Sequence, residues 1–479
     1  MPELSHRRRL LVLAICCMSL LIVGMDNTIV NVALPSIRTD LHASLPDLQW
    51  TIDAYTVVLA SLLMLAGSTG DRVGRRRIFQ IGLAVFSAGS LLCSLAPSLG
   101  WLIAFRALQA VGGSMLNPVA MSIITNVFTD PRERARAIGV WGGVVGVSLG
   151  LGPVVGGFLI DAVGWRSIFW INVPIGLAAI ALTAVFVPES RAARWRRPDP
   201  VGQALVIVAL AALTFGIIES PRVGWLSTQT IVSLALSGLA VVTLIGYEWH
   251  RRDPLLDPRF FTSVPFSGAA AIAVCAFAAF AGFLFLTSLY LQDVRGLSPL
   301  VAGTCLLPVS IMTLIFAPLS GRIVGARGPR LPLIAAGTAL AGGALLLVSS
   351  SAHESYVRLL VGYVVFAIGF GLVNAPITNS AVSGMPVAQA GVAAAVASTS
   401  RQVGATLGVA VVGTVLASGV ATSRRDDFIA ASRAGWWIVA GCGLAVLILG
   451  ALTTSRPAMR TAERTAERIG GEPSLEPAR

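Results

Sequence analysis

Long apolar stretches follow one another through almost the whole chain, and they restrict its fold more than any other feature of the sequence. A bilayer core about 30 Å thick takes roughly 20 apolar residues per helix, and fourteen stretches reach that length. The sequence therefore predicts an all-α integral membrane protein. We expect its transmembrane helices at residues 10–31, 48–68, 78–97, 101–125, 136–160, 168–187, 201–219, 228–247, 267–291, 300–325, 332–350, 356–378, 391–418 and 434–453.

The composition excludes several classes of enzyme. Only 12% of the residues are charged, against roughly 25% in soluble proteins. The chain contains no lysine, which excludes a P-loop ATPase and Schiff-base catalysis, so all 35 basic residues are arginine. The six cysteines lie in apolar stretches without the C-x-x-C spacing of a metal site, and the four histidines fall in polar connections. We therefore predict no metal site, no cofactor and no enzymatic activity.

The arginines divide unequally between the two sides of the predicted membrane. The N-terminus, the even-numbered loops and the C-terminal tail carry twenty-five of them, and the odd-numbered loops carry eight. Positive residues are enriched in cytoplasmic loops, and fourteen spans place both termini on one side. We therefore expect both termini to be cytoplasmic, and the net charge of +12 requires no nucleic-acid partner.

The densest charge cluster lies between the second and third predicted helices, in the sequence GSTGDRVGRRR at 67–77. Membrane topology explains its arginines but not its glycines or its aspartate. Gly67 permits close approach of a neighbouring helix, and Gly70 and Gly74 permit a positive φ in a short turn. Asp71 can lie near a helix N-terminus while it pairs with an arginine.

This loop resembles the G-x-x-x-D-R-x-G-R-R/K-R/K loop of major facilitator superfamily transporters, and we call it the gating loop. The resemblance implies a cytoplasmic contact between two halves of the protein, in which Asp71 and Arg72 stabilise one gating state. The matching positions are Gly67, Asp71, Arg72, Gly74, Arg75 and Arg76.

Two further motifs lie inside predicted helices. RALQAVGGSMLNP is similar to the superfamily's R-x-x-Q-G-x-G motif at Arg106, Gln109 and Gly112, with Ala110 in place of a glycine. GVSLGLGPVVGG is similar to the G-x-x-x-G-P-x-x-G-G antiporter motif, with Ser148 at the first glycine. Close helix packing around a proline-modulated bend explains this second motif physically. Its matching positions are Gly152, Pro153, Gly156 and Gly157.

The sequences MDNTIVNVALP and WRSIFWINVPIG are typical of the fourteen-helix drug:proton antiporter family within that superfamily. This resemblance implies a monomer in the bacterial plasma membrane, with two six-helix halves that rock against each other. We expect a first half at 1–190, a linker with two inserted helices at 191–262, a second half at 263–455 and a polar, solvated cytoplasmic tail at 456–479.

Ionisable residues inside membrane spans are candidates for function because burial is costly for them. A rise of 1.5 Å per residue places Asp26, Asp53 and Arg106 at about the same depth, where they could form one cluster. We expect Asp26 to be the main proton carrier and Arg106 to tune it. Asp53 is an alternate carrier or a contact for a cationic substrate. The competing interpretations are an interfacial aspartate for Asp53 and a structural ion pair for Asp26 and Arg106.

The predicted spans of the second half contain aromatic and amide side chains and no carboxylate. Arg401 lies near mid-depth, where it could serve a substrate cavity or bind backbone carbonyl groups. A cavity between two halves is the usual transporter arrangement and suits lipophilic compounds. We expect it to be lined by Asn31, Gln109, Phe280, Gln292, Asn374 and Arg401.

These features predict a proton-coupled efflux antiporter that exports lipophilic drugs or antibiotics, cationic or zwitterionic, by alternating access. The proton is the coupling ion. Two alternatives remain open: an exporter of one endogenous metabolite on the same fold, and a membrane sensor that transports nothing.

Overall fold

The computed structural model describes residues 5–192, 199–251, 257–383, 390–419 and 425–470. Fourteen of its helices are long and apolar enough to cross a membrane, which confirms the predicted number. Parts of two predicted arginine-rich connections, at 193–198 and 252–256, lie outside the described residues. The helices are α1 His6–Leu41, α2 Leu45–Val73, α3 Arg75–Ser94, α4 Leu99–Val127, α5 Arg132–Ala162, α6 Ser167–Phe186, α7 Pro200–Val223, α8 Thr228–Trp249, α9 Val264–Val294, α10 Pro299–Arg327, α11 Arg330–Val348, α12 Tyr356–Val382, α13 Val392–Gly419 and α14 Asp427–Thr453.

Several helices extend beyond their apolar stretches or are interrupted within them. Helix α2 continues past Gly67 to Val73, and within it the hydroxyl groups of Ser68 and Thr69 donate to the carbonyl oxygen of Leu65. Three other helices are irregular. The regular turns of α6 break at Ile171, α9 ends in the π-helical turn Tyr290–Val294, and α10 breaks at Leu306.

The helices pack as two bundles. In the first half, α1 packs on α5, and α4 on both α2 and α3; in the second half, α11 packs on α14 and α12, and α9 on α13. The inserted helix α7 contacts α2 and α13, one helix from each half. It accepts a hydrogen bond from Trp50 Nε1 at Glu219 Oε1 (2.8 Å) and another from Thr414 Oγ1 at the Ile217 carbonyl oxygen (2.9 Å). Helix α7 therefore covers one seam between the halves.

The two ends of the helix bundle differ in how the halves meet. We call the end that holds the gating loop and the N-terminus the arginine-rich end, and the other the distal end. Cross-half contacts are concentrated towards the distal end: Gln49 Nε2 donates to the carbonyl oxygens of Val409 and Ala410 (3.2 and 2.8 Å), and Arg38 pairs with Asp293 (3.2 Å). The structure therefore represents a conformation closed at the distal end.

The C-terminal region differs from the predicted solvated extension. Residues Arg456–Gly470 form a further helix, α15, in which Ala458 and Ala462 are buried. Its Thr461 Oγ1 accepts a hydrogen bond from the backbone of Val264 (2.9 Å) at the start of α9. The four-residue repeat in TAERTAER places alanine and threonine on one helical face, because residues four apart are neighbours on a helix surface. The rest of the predicted tail, 471–479, lies outside the described residues.

Candidate functional site

A buried ion pair joins α1 to α4. Asp26 Oδ2 lies 2.5 Å from Arg106 Nη1, and the side chains are 0% and 1% exposed. Arg106 Nη1 also donates to Gln109 Oε1 (2.7 Å), one helical turn further along α4. The structure thus brings together Asp26 and Arg106, for which the rise per residue predicted the same depth in the membrane.

Amide groups complete the surroundings of the aspartate. Gln109 Nε2 and Asn172 Nδ2 both donate to Asp26 Oδ1, at 2.9 and 3.1 Å. The same two amides donate to Ser90 Oγ, at 3.2 and 3.0 Å. Asn172 and Ser90 were not among the predicted site residues, although Asn172 lies in the WRSIFWINVPIG segment, directly after the break in α6. A neutral side chain in an apolar span carries little sequence signal.

Aromatic and backbone groups enclose the arginine. Its guanidinium carbon lies 4.2 Å from the centroid of the Tyr55 ring and 5.7 Å from that of Phe169, and Arg106 Nε donates to the Thr51 carbonyl oxygen at 3.2 Å. The cationic face is therefore shielded by rings, and the charge is neutralised by Asp26.

Asp53 does not join this cluster. Its predicted depth had allowed it to form one cluster with Asp26 and Arg106. Thr51 and Tyr55 occupy the face of α2 that contacts Arg106, whereas Asp53 lies two residues away, on the other side of a helix with 3.6 residues per turn. Asp53 is buried in the protein, with Oδ1 accepting from Thr56 Oγ1 (3.2 Å). Thr56 Oγ1 in turn accepts from Thr406 Oγ1 of the second half (2.9 Å). Asp53 therefore lies at the seam with α13.

The six residues predicted to line a cavity differ in their contacts. Gln109 belongs to the ion-pair cluster. Gln292 Nε2 donates to the Val32 carbonyl oxygen (2.9 Å), and the Asn31 carbonyl oxygen accepts from Ser288, so both belong to the distal closure. Phe280 is 7% exposed and stacks on Phe370, with ring centroids 3.9 Å apart.

The remaining two cavity candidates contact each other. Arg401 Nη2 lies 3.5 Å from the Asn374 carbonyl oxygen and donates to Thr378 Oγ1 at 2.6 Å. This contact joins α13 to α12 on the second-half side. It satisfies one of the two predicted alternatives, a contact with backbone carbonyl oxygen, and leaves the other open.

The antiporter motif packs α5 on its neighbours beside the ion pair. A Cβ atom at Gly152 would collide with Thr28 Oγ1, and one at Gly156 with Ile29, both just after Asp26 in α1. A Cβ at Gly157 would lie 2.6 Å from Leu300 Cα in the second half. The glycines therefore permit the close helix packing that the sequence predicted. Pro153, the remaining motif residue, lies within α5.

The gating loop is a one-residue connection. Gly74, with φ +133°, separates α2 from α3 and confirms the predicted positive φ. Gly70, by contrast, is helical and lies against α4, where an added Cβ would be 2.8 Å from Val119 Cγ2. Gly67 likewise faces α4, with an added Cβ 3.4 Å from Pro118.

The gating loop contacts the segment after α6 through backbone groups. Asp71 Oδ1 pairs with Arg75 Nη2 at 2.8 Å, and its carbonyl oxygen accepts from the backbone of Ala192 at 3.0 Å. The backbone N–H of Arg76 donates to Glu189 Oε1 (3.1 Å). In this conformation, these described contacts hold the loop to its own half.

Two helical halves of membrane-spanning length, with the inserted helix α7 over one seam and a buried ion pair in the first half, form the arrangement of a membrane transporter. The chain belongs to the Major Facilitator Superfamily, whose family model matches residues 16–409.

Similar proteins fit this assignment. The chain is 38% identical to the multidrug resistance protein Stp of Mycobacterium tuberculosis, over 86% of this chain and 77% of that one. It is 36% identical to the tetracenomycin C resistance and export protein of Streptomyces glaucescens, with the same shares covered, and 36% identical to the methylenomycin A resistance protein of Streptomyces coelicolor, over 92% and 91%. The human organic anion transporter MFSD10 (TETRAN) shares the fold, with a TM-score of 0.64 and 17% identity over 94% of this chain and all of that one.

Proposed function

We propose that this chain is a proton-coupled exporter of lipophilic small molecules, cationic or zwitterionic, that works by alternating access between the two halves. Relatives whose names state multidrug resistance or antibiotic export support the direction and the class of substrate. The conformation closed at the distal end represents one state of the cycle. Rocking of α1–α6 against α9–α14 would produce the other, in which the arginine-rich end is closed.

The buried Asp26–Arg106 pair is the observation that carries the coupling proposal. Protonation of Asp26 would remove the negative charge 2.5 Å from Arg106 Nη1, leaving a buried guanidinium without its counter-charge. An unpaired buried charge is costly, so the protonated state would favour a different arrangement of α1 and α4. Asp53, buried at the seam with α13, is proposed as the second proton acceptor. This mechanism needs no cofactor beyond the proton.

The orientation belongs to the same proposal. The arginine-rich end would face the cytoplasm of a bacterial cell, in its plasma membrane, because positively charged loops are retained inside. The gating loop would then contact the second half when the cytoplasmic end closes, with Asp71 and Arg72 exchanging their present partners. We propose that one monomer suffices, since both halves lie in a single chain.

A second candidate function is export of one endogenous metabolite. It is favoured by two relatives named for a single antibiotic each, tetracenomycin C and methylenomycin A. A panel of structurally unrelated dyes and antibiotics separates the two candidates. Protection against several unrelated compounds supports the broader exporter, and protection against one chemical family supports the narrower one.

The test of coupling is efflux from cells of a drug-sensitive host that express the chain. Preloaded dye should leave faster than from cells with an empty vector, and a protonophore should abolish the difference. Depleting ATP while an external acid pulse maintains the pH gradient should leave efflux intact. Efflux that persists after the gradient collapses would refute proton coupling, and equal efflux from both cell types would refute export of that dye.

A further inference from the structure

The two arginines inside the membrane spans have opposite electrostatic surroundings. Arg106 is paired with a carboxylate and ringed by acceptors. Arg401 is half-buried in α13, and its described hydrogen bonds run only to a hydroxyl and a carbonyl oxygen of α12. No carboxylate among the described residues pairs with it. The Nε atom of Arg401 is buried and has no hydrogen-bond partner among the described residues.

An arginine with these contacts can donate further hydrogen bonds to a ligand. The guanidinium group carries five N–H donors in a planar fork that matches a carboxylate, and Arg401 directs only Nη2 to described acceptors. A hydroxyl and a carbonyl oxygen orient the fork without neutralising its charge. A cation held in an apolar span without a counter-charge is costly, and that cost is recovered when an anion binds.

The position of Arg401 makes it accessible to a substrate. Thr406, one and a half turns later in α13, bonds to Thr56 of the first half. At 1.5 Å per residue, Arg401 lies about 7.5 Å closer than Thr406 to the arginine-rich end. It therefore lies just beyond the contacts that close the distal end, on the side from which a substrate would enter.

An aromatic surface adjoins the guanidinium group. Arg401 Cζ lies 5.9 Å from the centroid of the Phe277 ring, and Phe277 meets Phe370 edge to face at 5.2 Å. Phe370 in turn stacks on Phe280. Phe277 is only half-buried, so it presents an apolar ring next to the cation. A flat aromatic molecule that bears an acidic group matches both features.

We infer that Arg401 binds the anionic group, a carboxylate or phenolate, of an aromatic lipophilic substrate, with Phe277 beside the ring system. This inference rests on the proposed export function and narrows its substrate class. Among cationic and zwitterionic compounds, the zwitterions fit Arg401 and simple cations do not.

The experiment uses two dyes that differ only in the acidic group: rhodamine B, a zwitterion with a free carboxylate, and its ethyl ester, a cation. Binding of each to the purified full chain is followed by fluorescence anisotropy, for wild type, Arg401→Gln and Arg401→Lys. Arg327→Gln, which removes an exposed charge at the end of α10, is the matched control. Charge-assisted hydrogen bonds account for about a tenfold to hundredfold change in affinity.

We expect Arg401→Gln to weaken rhodamine B binding at least about tenfold and to leave ester binding within about twofold. Arg401→Lys should fall between, because lysine keeps the charge and loses the fork. Unchanged ester binding also shows that the variants are folded. Equal losses for both dyes, or no loss for the acid, would overturn the inference.

Transport separates this inference from the proposed function. Both dyes are loaded into proteoliposomes of the wild-type protein with and without a pH gradient. If the ester is moved by the gradient while the acid neither binds nor moves, the Arg401 assignment fails and proton-coupled export stands. If the gradient moves neither dye, both proposals fail for this substrate class.

Discussion

The buried ion pair allows a prediction that separates a proton carrier from a structural pair. Asp26→Asn leaves the Arg106 charge without a partner and places an amide N–H₂ group among the donors of Gln109 and Asn172. Breaking a buried pair by removing one partner costs about 3–5 kcal/mol. The Arg106→Gln variant leaves the carboxylate unpaired and should cost a similar amount. Each single variant should therefore unfold at a clearly lower temperature than wild type.

The double variant Asp26→Asn/Arg106→Gln removes both charges and keeps amide groups that can hydrogen-bond to each other. The penalty in each single variant comes from the uncompensated buried charge, and the double variant has none, so much of the lost stability should return. Thermal unfolding of the four proteins in detergent measures this double-mutant cycle. If Asp26→Asn unfolds at the wild-type temperature, the energetic argument for the pair is refuted.

A partly exposed ion pair with the same N···O distance is the control. Arg9 and Glu133 also lie 2.5 Å apart, but their side chains are 24% and 35% exposed. Such pairs contribute about 0–1 kcal/mol, so Glu133→Gln should change the unfolding temperature little. The comparison holds distance constant and varies burial.

Function is read in proteoliposomes by two assays on the same protein. Exchange of labelled for unlabelled substrate at equal pH requires the halves to rock, and accumulation driven by a pH gradient requires coupling as well. We expect the double variant to keep exchange and to lose accumulation. A double variant that still accumulates substrate in response to the gradient would show that Asp26 is not the proton carrier and that the pair is structural.

Three further predictions follow from the packing and the loops. Gly157→Val should hold the distal end open and raise the labelling of cysteines placed there by an impermeant maleimide, whereas Gly143→Val, in the same helix and with no atom within 4 Å of its added Cβ, should not. Asp71→Asn should slow transport while costing less than about 1 kcal/mol of stability, since its ion pair is partly exposed; unchanged turnover would contradict a gating role. Ala462→Glu should detach α15 and speed tryptic cleavage within it, with the exposed Glu463→Ala as control.

The number of spans and the Asp26–Arg106 contact could be predicted from the sequence, because both depend on lengths that are counted along the chain. Apolar length gives the spans, and the rise per residue gives depth. The direction in which each side chain points around its helix was not used, and this is where the prediction failed for Asp53. Counting positions from Thr51 on α2 would have placed Asp53 on the opposite face.

Neutral polar residues were harder to select than charged ones. Ser90 and Asn172 are spread over two helices, and nothing in their local sequence separates them from serines and asparagines that bond only to their own helix, as Ser94 does to Leu91. Their role follows from the tertiary arrangement that brings both to Asp26. The prediction for the tail was wrong for a different reason. The tail is polar in composition, but alanine and threonine form one face of its helix, and this face packs on the start of α9.

Helix α2 links the ion pair to the interface between the halves. Its Thr51 and Tyr55 contact Arg106, and its Gln49 and Thr56, on the other face, bond to α13. A single helix is stiff over this distance, so a displacement imposed on one face must appear on the other. Under the proposed mechanism, loss of the Asp26 charge acts on Arg106 and thereby on α2. The resulting displacement of α2 reaches the seam where Asp53 lies. At this seam Thr406 of α13 bonds to Thr56, about one and a half turns from Arg401. The proton carrier and the substrate therefore need no direct contact.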